Sequence, residues 1–183
     1  MVSSPTSYLY HGNGVVMLTI YLAGAIRDGR LNDIEWREKV ISSLLDSPAI
    51  ILNPLGGKHF DAKSGAWTLC GREVTAPSIV KYDFNSVKRA DIVLANLTSL
   101  SERYPSIGTL IELGAAAALG KLIYLILDNK YAGHENSMFT RHPFLQEIAA
   151  DIFESVDEAI EFLKKYIPVL SGTNARYGNF YGT

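Results

Sequence analysis

The sequence has a single cysteine, Cys70, in 183 residues. One thiol excludes an internal disulfide framework and any multi-cysteine metal site. It fits a reducing compartment, so a cytoplasmic location is expected. The four histidines are scattered along the chain, which argues against a metal centre. Neither a G-x-G-x-x-G fingerprint nor a G-x-x-x-x-G-K-[ST] loop occurs, so neither a bound dinucleotide nor a P-loop phosphate site is indicated, and no cofactor is expected. There is no basic block, and the formal net charge is −2, so a nucleic-acid polymer is not an expected partner. Apolar runs are strand-length and broken by glycine or charge, which speaks against a membrane span. The opening "MVSSPTSYLYHGNG" lacks the basic-then-apolar order of a secretory signal. Internal repeats and low-complexity tracts are also missing.

What is present is the composition of one globular domain. The chain is 48% hydrophobic and 20% charged, with enough length to bury a core without covalent staples. Residues 1–14 read as a leader, flexible or docked. Residues 15–167 read as the single domain, and 168–183 as a polar tail carrying Tyr177, Phe180 and Tyr181.

Within the domain, apolar runs alternate with helical patterns. "VVMLTIYLAG" is β-branched and apolar throughout, which suits a strand buried on both faces. "NDIEWREKVISSLL" repeats Trp36, Val40, Leu44 and Ile34, Ile41, Leu45 at helical spacing, with Asn32 or Asp33 as candidate caps. "AIILNP" is a second strand stopped by Pro54. Residues 55–77 form a long polar stretch, read as a candidate binding loop. A helix over "SIVKYDFNSVKRA", a strand over "DIVLANL", a helix over "IGTLIELGAAAALG" and a strand over "KLIYLIL" follow. "DIFES" reads as a short fifth strand. "SVDEAIEFLKKY" opens with Ser155 and Glu158 at capping-box spacing. This alternation predicts an α/β fold: a doubly wound sheet of about five mainly parallel strands with helices on both faces. Ligands of such folds sit at the carboxyl ends of the strands, so the turns after Leu22, Leu52, Leu97 and Leu127 are the places to inspect.

The chemistry-bearing residues fall near those turns. Gly24 closes the first strand in "YLAGAIRDGR", where backbone N–H groups can meet a phosphate or sugar. Arg27 and Arg30 suit an anion there, but on this turn alone two solvated arginines on a loop are the simpler reading. Asp91 reads as the end of a connection. Asp83 lies on a helix, where a lone aspartate usually faces water. Glu112 is the odd residue of "GTLIELGAAAALGK": a carboxylate among small and apolar neighbours, with Gly108 and Gly114 able to admit a ligand or another backbone. Buried without a partner it is costly; turned to solvent near the helix start it is favoured by the dipole. Composition and spacing leave both readings open. His59, Phe60 and Trp67 could line a base pocket or simply pack.

Three segments together carry a resemblance: "YLAGAI", "YDFNSVKRADIVLANL" and "SIGTLIELGAAAALGK". In this order and at these separations they resemble the nucleoside 2-deoxyribosyltransferase family, and the likeness spans about residues 17–166. It implies a flavodoxin-like fold and a homo-oligomer with active sites at subunit interfaces. It also implies roles. Glu112 matches the nucleophile, Tyr21 the tyrosine that holds it, and Asp83 the aspartate that exchanges a proton with the nucleobase. Asn136, in "ENSM", resembles the asparagine that a neighbouring subunit points at the sugar 5′ end. Ser106 departs from the family's usual aspartate. The related 2′-deoxynucleoside 5′-phosphate N-hydrolases tend to have serine there, and Arg27 of "GAIR" falls at their phosphate-binding position. The implied activity is transfer of 2-deoxyribose between nucleobases through a covalent sugar–Glu112 intermediate with retention, acting on small deoxynucleosides and free bases. Hydrolysis of a deoxynucleoside 5′-monophosphate is the alternative in the same chemistry. A non-catalytic nucleotide-binding module is the alternative outside it.

Overall fold

A computed structural model describes residues 10–11, 15–26, 31–98, 106–127 and 142–172. The body is a five-stranded, wholly parallel sheet. Its strands are β3 (Leu18–Gly24), β4 (Ala49–Leu52), β8 (Ile92–Asn96), β9 (Leu122–Ile126) and β10 (Asp151–Phe153). They lie in the order β10-β9-β8-β3-β4. Counted along the chain this is 2-1-3-4-5, the flavodoxin-like order, and the chain reverses its direction of winding beside β3.

Side-chain alternation along these strands builds two cores. Leu18, Ile20 and Leu22 face one way with Ile92, Leu94, Tyr124 and Ile126. They meet α1 (Leu31–Ser43) and α5 (Val156–Leu170) through Trp36, Val40, Leu44, Ile160, Leu163 and Ile167. Tyr21, Ala23, Val93, Ala95, Ile123 and Leu125 face the other way, toward α2 (Ala76–Arg89) and α3 (Ile107–Ala118). Tyr21 is therefore the polar member of an otherwise apolar row, aimed at the α2 and α3 layer. Asp91 serves the sheet: its Oδ2 accepts the Thr19 N–H at 2.9 Å.

Several elements differ from the sequence expectations, each for a local reason. The first apolar run is split at Met17: β2 (Val15–Val16) pairs antiparallel with β1 (Tyr10–His11), and β3 starts at Leu18. Helix α1 begins at Leu31, so Asn32 and Asp33 lie inside its first turn and not at a cap. Leu44 and Leu45 both fall beyond the helix end; Leu44 is buried in line with Trp36 and Val40, whereas Leu45 is 77% exposed. The stretch 55–77 is not a plain loop. It folds as an antiparallel meander of β5 (Lys58–Asp61), β6 (Ala66–Leu69) and β7 (Arg72–Glu73), turned by Gly65 and Gly71 at positive φ. A short helix, α4 (Pro143–Ile148), precedes β10, with proline at its tolerated first position. Helix α5 takes its cap from Ser155, which accepts the Glu158 N–H at 3.2 Å. It then runs past Tyr166 and through Pro168 to Leu170. No helix among the described residues is long and apolar enough to cross a membrane.

Candidate active site

The site lies at the carboxyl ends of β3 and β8, between α2 and α3. Tyr21 is wholly buried on β3, and its phenol donates to Glu112 Oε1 at 2.9 Å. Glu112 is the sixth residue of α3 and half-buried. It stands in the second turn, beyond the free N–H groups of the helix start, so the dipole reading of this carboxylate loses its basis. Burial pushes the Glu112 carboxyl up to about 7, and the charge of Asp83 pushes the same way; the Tyr21 hydrogen bond and the Arg37 charge oppose them. Burial also drives the Tyr21 phenol far above its ordinary range, so Tyr21 stays a donor.

Asp83 arrives from α2. It is 8% exposed, not the solvated helical aspartate that its sequence context suggests. Its Oδ1 has no hydrogen-bond partner among the described residues. Desolvation raises the Asp83 carboxyl, while Lys58 and Arg37 pull it down. An orphaned buried carboxylate oxygen is expensive, and such atoms concentrate where a ligand or a reaction completes the set. Asp83 also lines a cavity of about 210 Å³, together with Lys58. Ile26, Leu55, Trp67, Val74 and Ile79 supply the apolar wall. The meander therefore builds one side of this cavity. Trp67 lines it, and Phe60 packs on the Trp67 ring at 5.3 Å between centroids. His59 is exposed and is not part of the lining.

The small residues have distinct uses. Gly24 ends β3 at φ +156°, where an added Cβ would lie 3.1 Å from the Asn96 carbonyl and 3.1 Å from the Trp36 ring. Only glycine lets the strand end sit this close to β8 and α1. Gly108 is exposed, and a Cβ there would meet nothing within 4 Å. Ser106 is the residue before α3, held at φ 43°, and its hydroxyl is 2.9 Å from that of Thr109. The structure thus brings Tyr21, Glu112 and Asp83 within reach of one another, while Gly24 stands at the end of β3 and Ser106 and Gly108 at the start of α3. Arg27 and Asn136 lie outside the described residues.

Two participants escape a reading of the sequence. Lys58 stands in a segment read as loop, and its ammonium lies 4.9 Å from the Tyr82 ring. Arg37 sits one residue after the apolar Trp36 and is fully buried. Neither has a local signature. The register of β5 reveals the first, and the packing of α1 under Gly24 the second.

A doubly wound sheet thus carries a tyrosine-held carboxylate and a buried aspartate that lines a cavity. The chain belongs to the nucleoside 2-deoxyribosyltransferase family, whose model matches residues 20–144. Solved structures share the fold at low identity. The CMP N-glycosidase BcmB of Clostridium botulinum is 21% identical, with a TM-score of 0.51 over 81% of this chain and 98% of its own. The 2-desoxiribosyltransferase of Leishmania mexicana is 20% identical, with a TM-score of 0.57 over 81% and 98%. A 2-deoxyribosyltransferase of Bacillus psychrosaccharolyticus is 20% identical, with a TM-score of 0.53 over 78% and 90%. No curated protein sequence matches the chain.

Proposed function

We propose that the protein transfers 2-deoxyribose between nucleobases, with Glu112 as nucleophile. The observation that carries this reading is the 2.9 Å hydrogen bond from Tyr21 to Glu112, with Asp83 close enough to act on both through its charge. Breaking an N-glycosidic bond leaves positive charge on the sugar ring, and a carboxylate at C1′ stabilises it and then bonds to it. Glu112 attacks C1′. The C–N bond electrons leave with the base, which takes the proton of Asp83. Tyr21 holds the attacking carboxylate in place. A second base then attacks C1′ through a ring nitrogen and gives up its N–H proton to the Asp83 carboxylate, Glu112 leaves with the electrons of its bond to C1′, and the two inversions retain the β configuration. Gly108, with open space beside it, lets the sugar approach α3, and Gly24 shapes the turn under it. The cavity walled by Trp67 receives the base.

Glu112 and Asp83 titrate as a pair. The charge of Asp83 raises the Glu112 carboxyl, so the two proton losses are coupled. Between the two steps the pair holds one proton, and the reactive arrangement carries it on Asp83.

In this reading residues 15–167 are the catalytic domain and the tail after them completes a site. Arg27 and Asn136 keep the roles that the family likeness implies, at the 5′ end of the sugar. The site is shared in a homo-oligomer. Its support is the exposed apolar surface of Ile107 and Ile111 on α3 and Phe144 on α4, which are 66%, 52% and 74% exposed. The lone free thiol of Cys70 agrees with a cytoplasmic setting.

One observation favours a second reading, hydrolysis of a deoxynucleoside 5′-monophosphate. Ser106, a hydroxyl and not an acid, stands at the N-terminus of α3, where a carboxylate would repel a phosphate. Deoxyinosine plus adenine in one tube and dIMP in another separate the two. Deoxyadenosine formed in the first tube, with dIMP untouched, supports transfer. Hypoxanthine released from dIMP, with no deoxyadenosine in the first tube, overturns transfer in favour of hydrolysis.

A further inference from the structure

Arg37 is the largest of the wholly buried side chains among the described residues. Its guanidinium is spent on main-chain oxygens. Nη2 donates to the Gly24 carbonyl at 2.9 Å, and Nη1 to the carbonyls of Ala25, at 3.4 Å, and Asp33. Nε has no hydrogen-bond partner among the described residues. The Trp36 ring covers the group, 4.6 Å from the guanidinium carbon. An apolar side chain of the same volume would fill this space without the large desolvation cost of a buried charge. The charge is therefore unexplained by packing alone.

Its position relative to the site is specific. Gly24 and Ala25 are the third and fourth residues after Tyr21, at the strand end that carries the phenol to Glu112. A Cβ on Gly24 would stand 3.2 Å from Arg37 Nη2, so the glycine and the guanidinium are fitted to each other. We propose that Arg37 is a positioning residue of this site: its guanidinium ties down the turn after β3 through the Gly24 and Ala25 carbonyls and holds a buried positive charge at the end of the strand that carries Tyr21 to Glu112. The inference rests on the assignment of Glu112 and Asp83 made above.

The charged and titratable groups around it come from every layer. Tyr21 on β3, Asp33 on its own helix, Glu112 on α3 and Asp83 on α2 each act on it through their charge. Lys58, on β5, acts on Asp83 from the cavity side. Arg37 pulls both carboxyls down against their burial. Burial in turn brings its own guanidinium down to about 10, so it remains charged at neutral pH.

The test is a carbon-detected NMR titration of the Glu112 side-chain carboxyl in the full chain, assigned with Glu112→Gln. Arg37→Met should raise the Glu112 midpoint by about one pH unit, a tenfold gain in proton affinity. Arg37→Lys keeps the charge and loses the planar fork; its midpoint should stay near that of the wild type. The pH profile of base release should move upward in the Met variant and stay in place in the Lys variant. A role in packing alone would lower thermal stability in both without moving either profile. If Arg37→Met does not fold, Arg37→Gln is read in the same way. A folded neutral variant with an unmoved Glu112 midpoint overturns the proposal. Wild-type protein that releases no base from nucleoside or nucleotide overturns the enzymatic reading instead, and the titration still decides the role of Arg37.

Discussion

Tyr21 donates a hydrogen bond to Glu112 across 91 residues of sequence, from β3 to the helix that follows β8. The contact joins a wholly buried phenol to a half-buried carboxylate, and it favours the ionised form of Glu112. Tyr21→Phe removes one oxygen and leaves the ring in its core row. The expected outcome is a Glu112 midpoint above the wild-type value of about 7. A fall of about 10–100-fold in kcat/KM should accompany it, the worth of one hydrogen bond to a charged group. Steady-state kinetics with a circular dichroism control measures both the loss and the intact fold.

Glu112 also links stability to pH. Its folded-state carboxyl titrates at about 7, above the ordinary 4.5. The folded protein then holds a proton that the unfolded chain has already released, so stability is fully present below about pH 4.5 and falls as the pH rises through about 7. Glu112→Gln removes this penalty. The variant should exceed the wild type by about 1–3 kcal/mol at pH 8, with the gap closing below pH 5. Urea unfolding at the two pH values reads the difference.

The carboxyl pair fixes the shape of the pH–rate curve. With one proton required between Glu112 and Asp83, kcat/KM should form a bell. It falls as the pH rises through about 7, where the pair loses its last proton, and falls again in acid, where both are protonated. Asp83→Asn removes the proton donor and one negative charge. Its rate should drop by about 10²–10⁴-fold, and the bell should become a single rising limb with a midpoint below 7.

The cavity gives a binding prediction. Trp67 supplies its largest apolar wall, from the meander. Trp67→Ala should raise KM for the acceptor base by about tenfold, the loss expected for one aromatic face, with a smaller change in kcat. Equal losses in kcat and kcat/KM would place the effect in the transition state and not in base binding.

Gly24 tests the backbone beneath the site. At φ +156°, a methyl group at this position must displace the Asn96 carbonyl, the Trp36 ring or the Arg37 guanidinium. Gly24→Ala should lower stability by about 1–3 kcal/mol, as for other strained backbone positions. Thermal or urea unfolding measures it.

Much of this architecture is written in local patterns. Continuous apolar runs such as "LTIYLAG" and "IVLAN" announce strands covered on both faces, and Trp36 and Val40, with Leu44 just beyond the helix end, mark the inner stripe of α1. The meander is not legible, because strands of two to four half-buried or exposed residues carry no pattern distinct from loop. Helix α4 is hidden for a similar reason, being six residues long. Glu112 and Asp83 are visible as candidates, but no local signal pairs them with Tyr21; the family likeness proposes that grouping, and the parallel register of β3 with β8 explains it. Arg37 follows a tryptophan in a helix that otherwise alternates apolar and charged residues, so its sequence reads as solvent-facing. Its burial is decided by the carbonyls of Gly24 and Ala25, which the helix meets only in three dimensions.

The central claim is that Glu112 bonds to the sugar. Rapid acid quench of the protein with a deoxynucleoside and no acceptor base, followed by peptide mass spectrometry, tests it directly. The account predicts one deoxyribosyl mass added to the peptide containing Glu112, lost when a free base is supplied before the quench. Continued base release by Glu112→Ala, with no adduct on the wild-type peptide, would contradict it.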